Sequence, residues 1–381
     1  MSKVIPNILF FYISEDFGED EQLALEDIFE LNASDVQWKM VCLKNTPIHQ
    51  RLIQFGENHV IALEKKPSEN FHGKFRDLLQ EEIRNGINVI HVFGSNYLGS
   101  ILPWMLRNST VAVVVSEGPR VKKSIWHFVQ SFFYYRIDAI VVPSNALKKR
   151  IQIMRPALAH KIRVVHPGLD FNIFNPNHFD FKVLRNKWGI DNKFYLVGMI
   201  ASPEYVKAQS AFIKAAASFL RNAELAQRTK FIIVGFEHDG NEELIQLIKT
   251  FHLQDQIILV PFEESIPKVL GTLDVYVMPS SKAMFGLQVI ESLAMGTPII
   301  CAHGPDAGEW IGNSQGGLLM RSGDSFDLQR KLRSILEDPE QLKIMGVKAV
   351  QFAREHYDRN TRSQKLMQVF DRVLRKRLGK K

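Results

Sequence analysis

The chain has 381 residues, of which 45% are hydrophobic and 23% charged, with two cysteines and a net charge of +7. This length suits two domains, and the composition excludes a disordered, collagenous or coiled-coil chain. Two cysteines exclude a disulfide framework and a Cys-rich zinc site, and fit a reducing cytoplasm. From the N-terminus, MSKVIPNILFFYISED carries one lysine and no small-residue cleavage site, so it reads as a buried strand and not a signal peptide. Strand-like runs follow one another at residues 4–12, 38–43, 60–63, 89–93, 111–116, 139–143 and 162–166. Amphipathic helical stretches at 22–31 and 74–85 lie among them. A second series of strands occupies 195–200, 230–234, 257–261, 275–279, 298–302 and 317–320, with helices at 209–221, 242–251 and 288–295. No apolar run reaches the ~18 residues of a membrane-spanning helix.

Most of these strands are apolar nearly throughout, as parallel strands covered on both faces are. Strand and helix in alternation predict doubly wound α/β sheets. The stretch 167–192 lacks periodicity and contains HPGLDFNIFNPNHFD, which reads as an interdomain linker. The division is therefore an α/β domain at 1–170, a second at 190–355, and a tail at 356–381. A long basic helix over 359–377 is expected to return to the first domain.

Charge is uneven along the chain. Residues 1–50 sum to −6, residues 101–150 to +6, 151–200 to +4 and 351–381 to +7. Basic blocks suit a solvated face, an anionic ligand or an anionic membrane. Nucleic acid is not expected as a partner, since zinc-finger spacing and RNP-like aromatics are absent. Also absent are Gly-x-Gly, Gly-x-x-x-x-Gly-Lys, His-Glu-x-x-His and Asp-x-Asp, which removes the dinucleotide, P-loop, zincin and Asp-x-Asp metal readings. One Gly-x-Ser-x-Gly, Gly312 to Gly316, has a helix before it and a strand after it. A nucleophile elbow needs the reverse order, so this is a turn.

Residues 274–309, DVYVMPSSKAMFGLQVIESLAMGTPIICAHGPDAGE, carry the most information. A strand ending at Pro279 leads through a loop to a helix beginning near Gly286. Free N–H groups at such a helix start attract a phosphate, and a glycine there admits close approach. Glu291 lies one turn beyond Leu287, where a carboxylate suits ribose hydroxyls.

In this register the stretch resembles the family 4 retaining glycosyltransferases (glycosyl transferases group 1). Their pattern is Glu, seven residues, Glu, with Phe-Gly-Leu beginning two residues after the first Glu. Phe285, Gly286, Leu287 and Glu291 fit it. His166-Pro-Gly168-Leu-Asp170, Val197-Gly198-Met199-Ile200, Lys207 and Ser144-Asn-Ala-Leu-Lys148 are similar to further landmarks of the family. The resemblance implies the α/β GT-B fold, two doubly wound Rossmann-like domains facing across a cleft. It also implies a nucleotide-diphosphate sugar as donor, retention of configuration, and no metal or other cofactor. Glu291 would hold the ribose, and Lys207 would bind the diphosphate and assist its departure. The amides of Phe285, Gly286 and Leu287 would face the distal phosphate and the sugar.

The pattern is altered at several positions. Ala283 stands for the first Glu, Ser202 for the phosphate arginine, and Ala208 for a glycine after the lysine. The family's His-x-His reads His91-Val92-Phe93, which leaves His91 as a strand-end histidine. Phe17-Gly18-Glu19 replaces one glycine pair and Pro305-Asp306 another. Lys282 beside Ala283 is a substitute cation or a solvent-exposed loop lysine.

The segment KKSIWHFVQSFFYYR, 122–136, holds six aromatics between Lys122, Lys123 and Arg136. It reads either as a helix covering the first sheet or as an amphipathic helix on an anionic membrane. The functional expectation is a cytoplasmic glycosyltransferase of polysaccharide biosynthesis, with peripheral attachment to the inner membrane face left open. Its acceptor would be cell-envelope or lipid-linked. The alternative is a catalytically weak or inactive relative that binds a nucleotide or a partner chain; an epimerase or phosphorylase on the same fold is more distant.

Overall fold

The computed structural model describes residues 5–15, 19–32, 36–65, 72–94, 98, 101, 110–118, 135–201, 206–221, 223–236, 241–280 and 287–379. The chain forms two compact units, Met1–Gly168 with Arg359–Lys381, and Leu169–Asp358.

In the first unit, β1 (Asn7–Phe11), β2 (Gln37–Leu43), β3 (Val60–Leu63), β4 (Val89–Phe93), β5 (Ala112–Ser116), β6 (Ala139–Val142) and β7 (Ile162–Val164) form one sheet. Its order is β3-β2-β1-β4-β5-β6-β7, and every pair is parallel. Successive residues of a strand face opposite sides. Leu9 and Phe11 of β1 enter one buried cluster, and Ile8 and Phe10 the other. Both faces are covered, which is why the strand is apolar without alternation.

The helix Arg359–Arg377 covers one of these faces with Leu366, Val369, Phe370, Val373 and Leu374, spaced as one apolar helical stripe. Arg362, on the same helix, donates from Nε and Nη2 to Asp27 at 2.7 and 2.9 Å. Its Nη1 donates to the carbonyls of Val165 and His166 at 3.1 and 2.9 Å. Gly168 is required where the chain leaves this unit, because a Cβ there would lie 2.7 Å from the Arg359 Cα.

His91 does not end its strand: it sits within β4 and is fully buried. Its Nε2 lies 2.7 Å from Ser116 Oγ, and Phe10, Phe93 and Phe370 surround the ring at centroid distances of 5.4, 4.6 and 5.5 Å. Burial, helped by the charge of Arg362, pushes its imidazole down to about 3. Below the ordinary histidine range the unfolded chain binds a proton that the folded chain refuses. The contribution of His91 to stability is therefore full above about pH 6.5 and is lost as pH falls toward about 3. His91→Phe is expected to reduce the acid-side slope of unfolding free energy by ~1.4 kcal/mol per pH unit, read from urea unfolding. Equal slopes in the two proteins would contradict this account.

In the second unit, β8 (Tyr195–Ile200), β9 (Thr229–Val234), β10 (Ile257–Val260), β11 (Val275–Met278), β12 (Ile299–Ala302) and β13 (Gly317–Met320) form a parallel sheet of order β10-β9-β8-β11-β12-β13. The aperiodic stretch 167–192 differs from the expected linker. It holds the short helix Lys182–Lys187, and from residue 169 onward it belongs to this unit. Arg185 explains why. It donates to Asp274 at 2.7 Å and to the carbonyls of Phe194 and Thr272 at 3.0 and 3.3 Å, joining the starts of β8 and β11. Phe181 fills the space that a side chain at Gly271 would need.

The Gly312 to Gly316 motif is a helix end. The helix Pro305–Ser314 closes on Gln315 in the left-handed conformation, and β13 follows. Ser314 Oγ donates to the Ile311 carbonyl and accepts from Gly316 N, so it is a buried turn residue.

Candidate functional site

The strand order of the second sheet reverses between β8 and β11. The chain moves outward from β8 to β9 and β10, then returns to the other side of β8 at β11. In open parallel sheets such a switch point opens a crevice at the carboxyl ends of the strands, where ligands bind. The candidate residues from the sequence fall on the elements that leave those ends. Lys207 is the second residue of the helix Val206–Phe219 after β8, and its side chain is exposed. Leu287 opens the helix Leu287–Ala294 after β11, and Glu291 lies in its second turn. Phe285 and Gly286 lie outside the described residues, as do Ser202, Lys282 and Ala283.

Glu291 is 5% exposed. A surface carboxylate is thereby excluded, and a buried one needs compensating polar contacts. Its helix is fixed to the sheet by Tyr276 of β11, whose hydroxyl donates to Gln288 Oε1 at 2.6 Å. At the far end, Ser292 Oγ donates to the Thr297 carbonyl, and Thr297 Oγ1 to that of Leu270, both at 2.7 Å. Leu287, Val289, Ile290 and Leu293 are buried. The carboxylate thus stands on a rigid support.

The other side of the rim is formed by the ends of β8, β9 and β10. Gly235 follows β9 with φ +80°, a conformation glycine adopts without strain. A Cβ on it would lie 3.5 Å from the Ala201 carbonyl and 3.8 Å from the Phe262 ring. Phe262 is 66% exposed, an aromatic face open to a ligand. Neither Phe262 nor the Tyr276–Gln288 brace was signalled by the sequence. An isolated phenylalanine in PFEES has no local pattern to mark it, and the brace joins two elements across a loop.

Cys42 and Cys301 are buried, and burial pushes both thiols up to about 12, so neither supplies a thiolate. Among the described residues, no group of three or more His, Cys, Asp or Glu comes together as metal ligands.

Residues 180–352 match the family described as Glycosyl transferases group 1. The matched segment contains Lys207, Leu287 and Glu291. Over 199 residues the chain is 27% identical to a D-inositol 3-phosphate glycosyltransferase of Nocardia farcinica, covering 51% of this chain and 44% of that protein. The chain spans 44% to 65% of the length of the first curated relatives it matches.

Solved structures resemble the whole chain. A glycosyltransferase from Rickettsia africae superposes with a TM-score of 0.83 at 17% identity, over 97% of this chain and 99% of that one. Anabaena HepE in complex with UDP superposes with a TM-score of 0.77 at 20% identity, over 96% of this chain and 100% of that one. These likenesses identify the fold as GT-B, with two Rossmann-like units.

Proposed function

We propose that the chain is a glycosyltransferase that takes its sugar from a nucleotide-diphosphate sugar seated on the second unit. Glu291 holds the ribose hydroxyls, and Lys207 meets the diphosphate. Phe262 offers a face on which the base can stack. The free N–H groups at the start of Leu287–Ala294 face the distal phosphate. When the bond between the anomeric carbon and the phosphate oxygen breaks, negative charge gathers on the departing diphosphate. Lys207 and the helix start offset that charge, and this is the chain's contribution to the rate. The acceptor supplies a hydroxyl to the anomeric carbon, and transfer retains configuration. Acceptors in the cell envelope or on lipid carriers fit the basic first unit. The observation that carries the reading is a buried carboxylate at the switch point, inside the segment that matches the family.

A second reading is favoured by Ala283 and Ser202, which stand where the resemblance expects a carboxylate and an arginine. It is a protein that binds the nucleotide without efficient turnover. Both readings meet in one experiment, calorimetry with UDP, GDP, ADP and their sugar conjugates, followed by a hydrolysis and transfer screen. At least one diphosphate is expected to bind, about as tightly as its sugar conjugates, and binding should survive EDTA. Ser202→Arg should tighten diphosphate binding by ~1–2 kcal/mol, as a charge-assisted contact does. Absence of binding to every nucleotide would reject both readings. A sugar conjugate bound far more tightly than its diphosphate, with turnover, would reject the second.

A further inference from the structure

Tyr276 brings a hydroxyl to a place that packing alone would fill with hydrocarbon. It sits in β11, between Gly198 of β8 and Ile299 of β12, and is 1% exposed. Its neighbours Val275 and Val277 turn to the face where Val197, Phe212 and Phe231 cluster. Tyr276, between them in the alternation, turns to the opposite face. There its hydroxyl donates to Gln288 Oε1 at 2.6 Å, on the helix Leu287–Ala294. A buried hydroxyl is costly unless it is bonded, and a phenylalanine would cover the same face without that requirement.

What the hydroxyl adds is direction. Apolar contact is non-directional, so the buried Leu287, Val289, Ile290 and Leu293 hold the helix in place without fixing its rotation or its slide along its axis. One short hydrogen bond from the sheet fixes both at Gln288, and Ser292 fixes the far end through the Thr297 carbonyl. Glu291 lies between the two fixed residues, three positions after Gln288 and so one turn further along the same side of the helix. A carboxylate that accepts from two adjacent hydroxyls needs its place held to about 0.5 Å.

We propose that the hydrogen bond between Tyr276 and Gln288 sets the preference of this site for ribose over 2′-deoxyribose, by holding Glu291 where it accepts from both sugar hydroxyls. Tyr276 is a positioning residue, acting on the nucleotide only through the helix. The inference rests on the proposed placement of the ribose on Glu291. A nucleotide without the 2′-hydroxyl leaves one oxygen of a buried carboxylate without that donor, and a site built for the hydroxyl rejects such a ligand. Once the helix is free to shift, the carboxylate settles on whichever hydroxyl is present, and the distinction fades.

The test is calorimetry of the full chain with UDP, GDP and ADP, each against its 2′-deoxy form. Wild type is expected to bind at least one ribonucleotide about ten- to hundredfold more tightly than the deoxy form. Tyr276→Phe removes only the oxygen and should bring that ratio to about threefold or less. Gln288→Leu removes the acceptor instead and should do the same, which keeps the test in hand if the phenylalanine variant does not fold. Combining the two substitutions should lower the ratio no further, since both act through one bond. Gln288→Glu still accepts from the tyrosine and should keep the wild-type ratio, because any repulsion of the diphosphate by its charge weakens both nucleotides alike. A residue that only supported the fold would lower the thermal transition and weaken both nucleotides equally. A wild-type ratio in folded Tyr276→Phe and Gln288→Leu therefore overturns the proposal, as does a loss in Gln288→Glu as large as that in Gln288→Leu. Equal binding of the two sugars by wild type overturns it as well. If Glu291→Ala abolishes the ratio while Tyr276→Phe keeps it, this inference alone falls. If no diphosphate binds, or if Glu291→Ala keeps full affinity, the placement of the ribose falls and takes this inference with it.

Discussion

Glu291→Ala is expected to weaken nucleoside diphosphate binding by about ten- to hundredfold, the loss of one charge-assisted contact of ~1.5–3 kcal/mol. The effect is large because Glu291 is built into its position. Its helix is braced at one end through Tyr276 and Gln288, and at the other through Ser292 and Thr297. The carboxylate itself is 5% exposed. Glu291→Gln keeps the shape and removes the charge, so it should fall between wild type and the alanine variant. Calorimetry with the diphosphate that binds best makes the comparison. A thermal scan of each variant separates a lost contact from a lost fold. Undiminished affinity in a folded Glu291→Ala protein would remove this residue from the nucleotide site.

Arg362→Leu is expected to destabilise the first unit by ~3–5 kcal/mol, the usual cost of leaving half of a buried ion pair behind. The pair closes over 335 residues of sequence, bidentate at 2.7 and 2.9 Å, with both partners almost out of contact with water. Removing the guanidinium leaves Asp27 buried without that partner, and leaves the carbonyls of Val165 and His166 without this donor. Asp27→Leu with Arg362→Leu should regain a good part of the loss, because two apolar side chains carry no charge into the core. Regain will be incomplete, since the two carbonyls still lack this donor. Denaturant unfolding, followed by limited proteolysis to assign the transition to a unit, tests the pair. If the double variant is less stable than the single one, Asp27 draws its compensation from another source.

Much of this architecture is legible in the chain itself. Apolar strands without alternation declare that both faces of each sheet are covered, and Leu9, Phe11, Ile8 and Phe10 divide between the two clusters accordingly. Leu287 and Glu291 stand out because they lie within two turns of one helix start, and Lys207 lies at the start of another. A window of that size is all that local pattern can report. What the tertiary structure alone decides involves residues far apart. The helix that carries Glu291 is held by Tyr276 of β11 and by Thr297 before β12. The rim of Ala201, Gly235 and Phe262 collects three strand ends from across the sheet. The stretch 167–192 reads as a linker because it has no period, yet Arg185 commits it to the second unit by reaching Asp274, 89 residues away. His91 reads as a strand-end residue because nothing nearby says that Ser116, Phe10 and Phe370 will close around it. Periodicity arises from one element meeting one surface. Partnership between distant polar groups arises only when the topology brings them together, and the cost of burying either group alone is what makes the partnership binding.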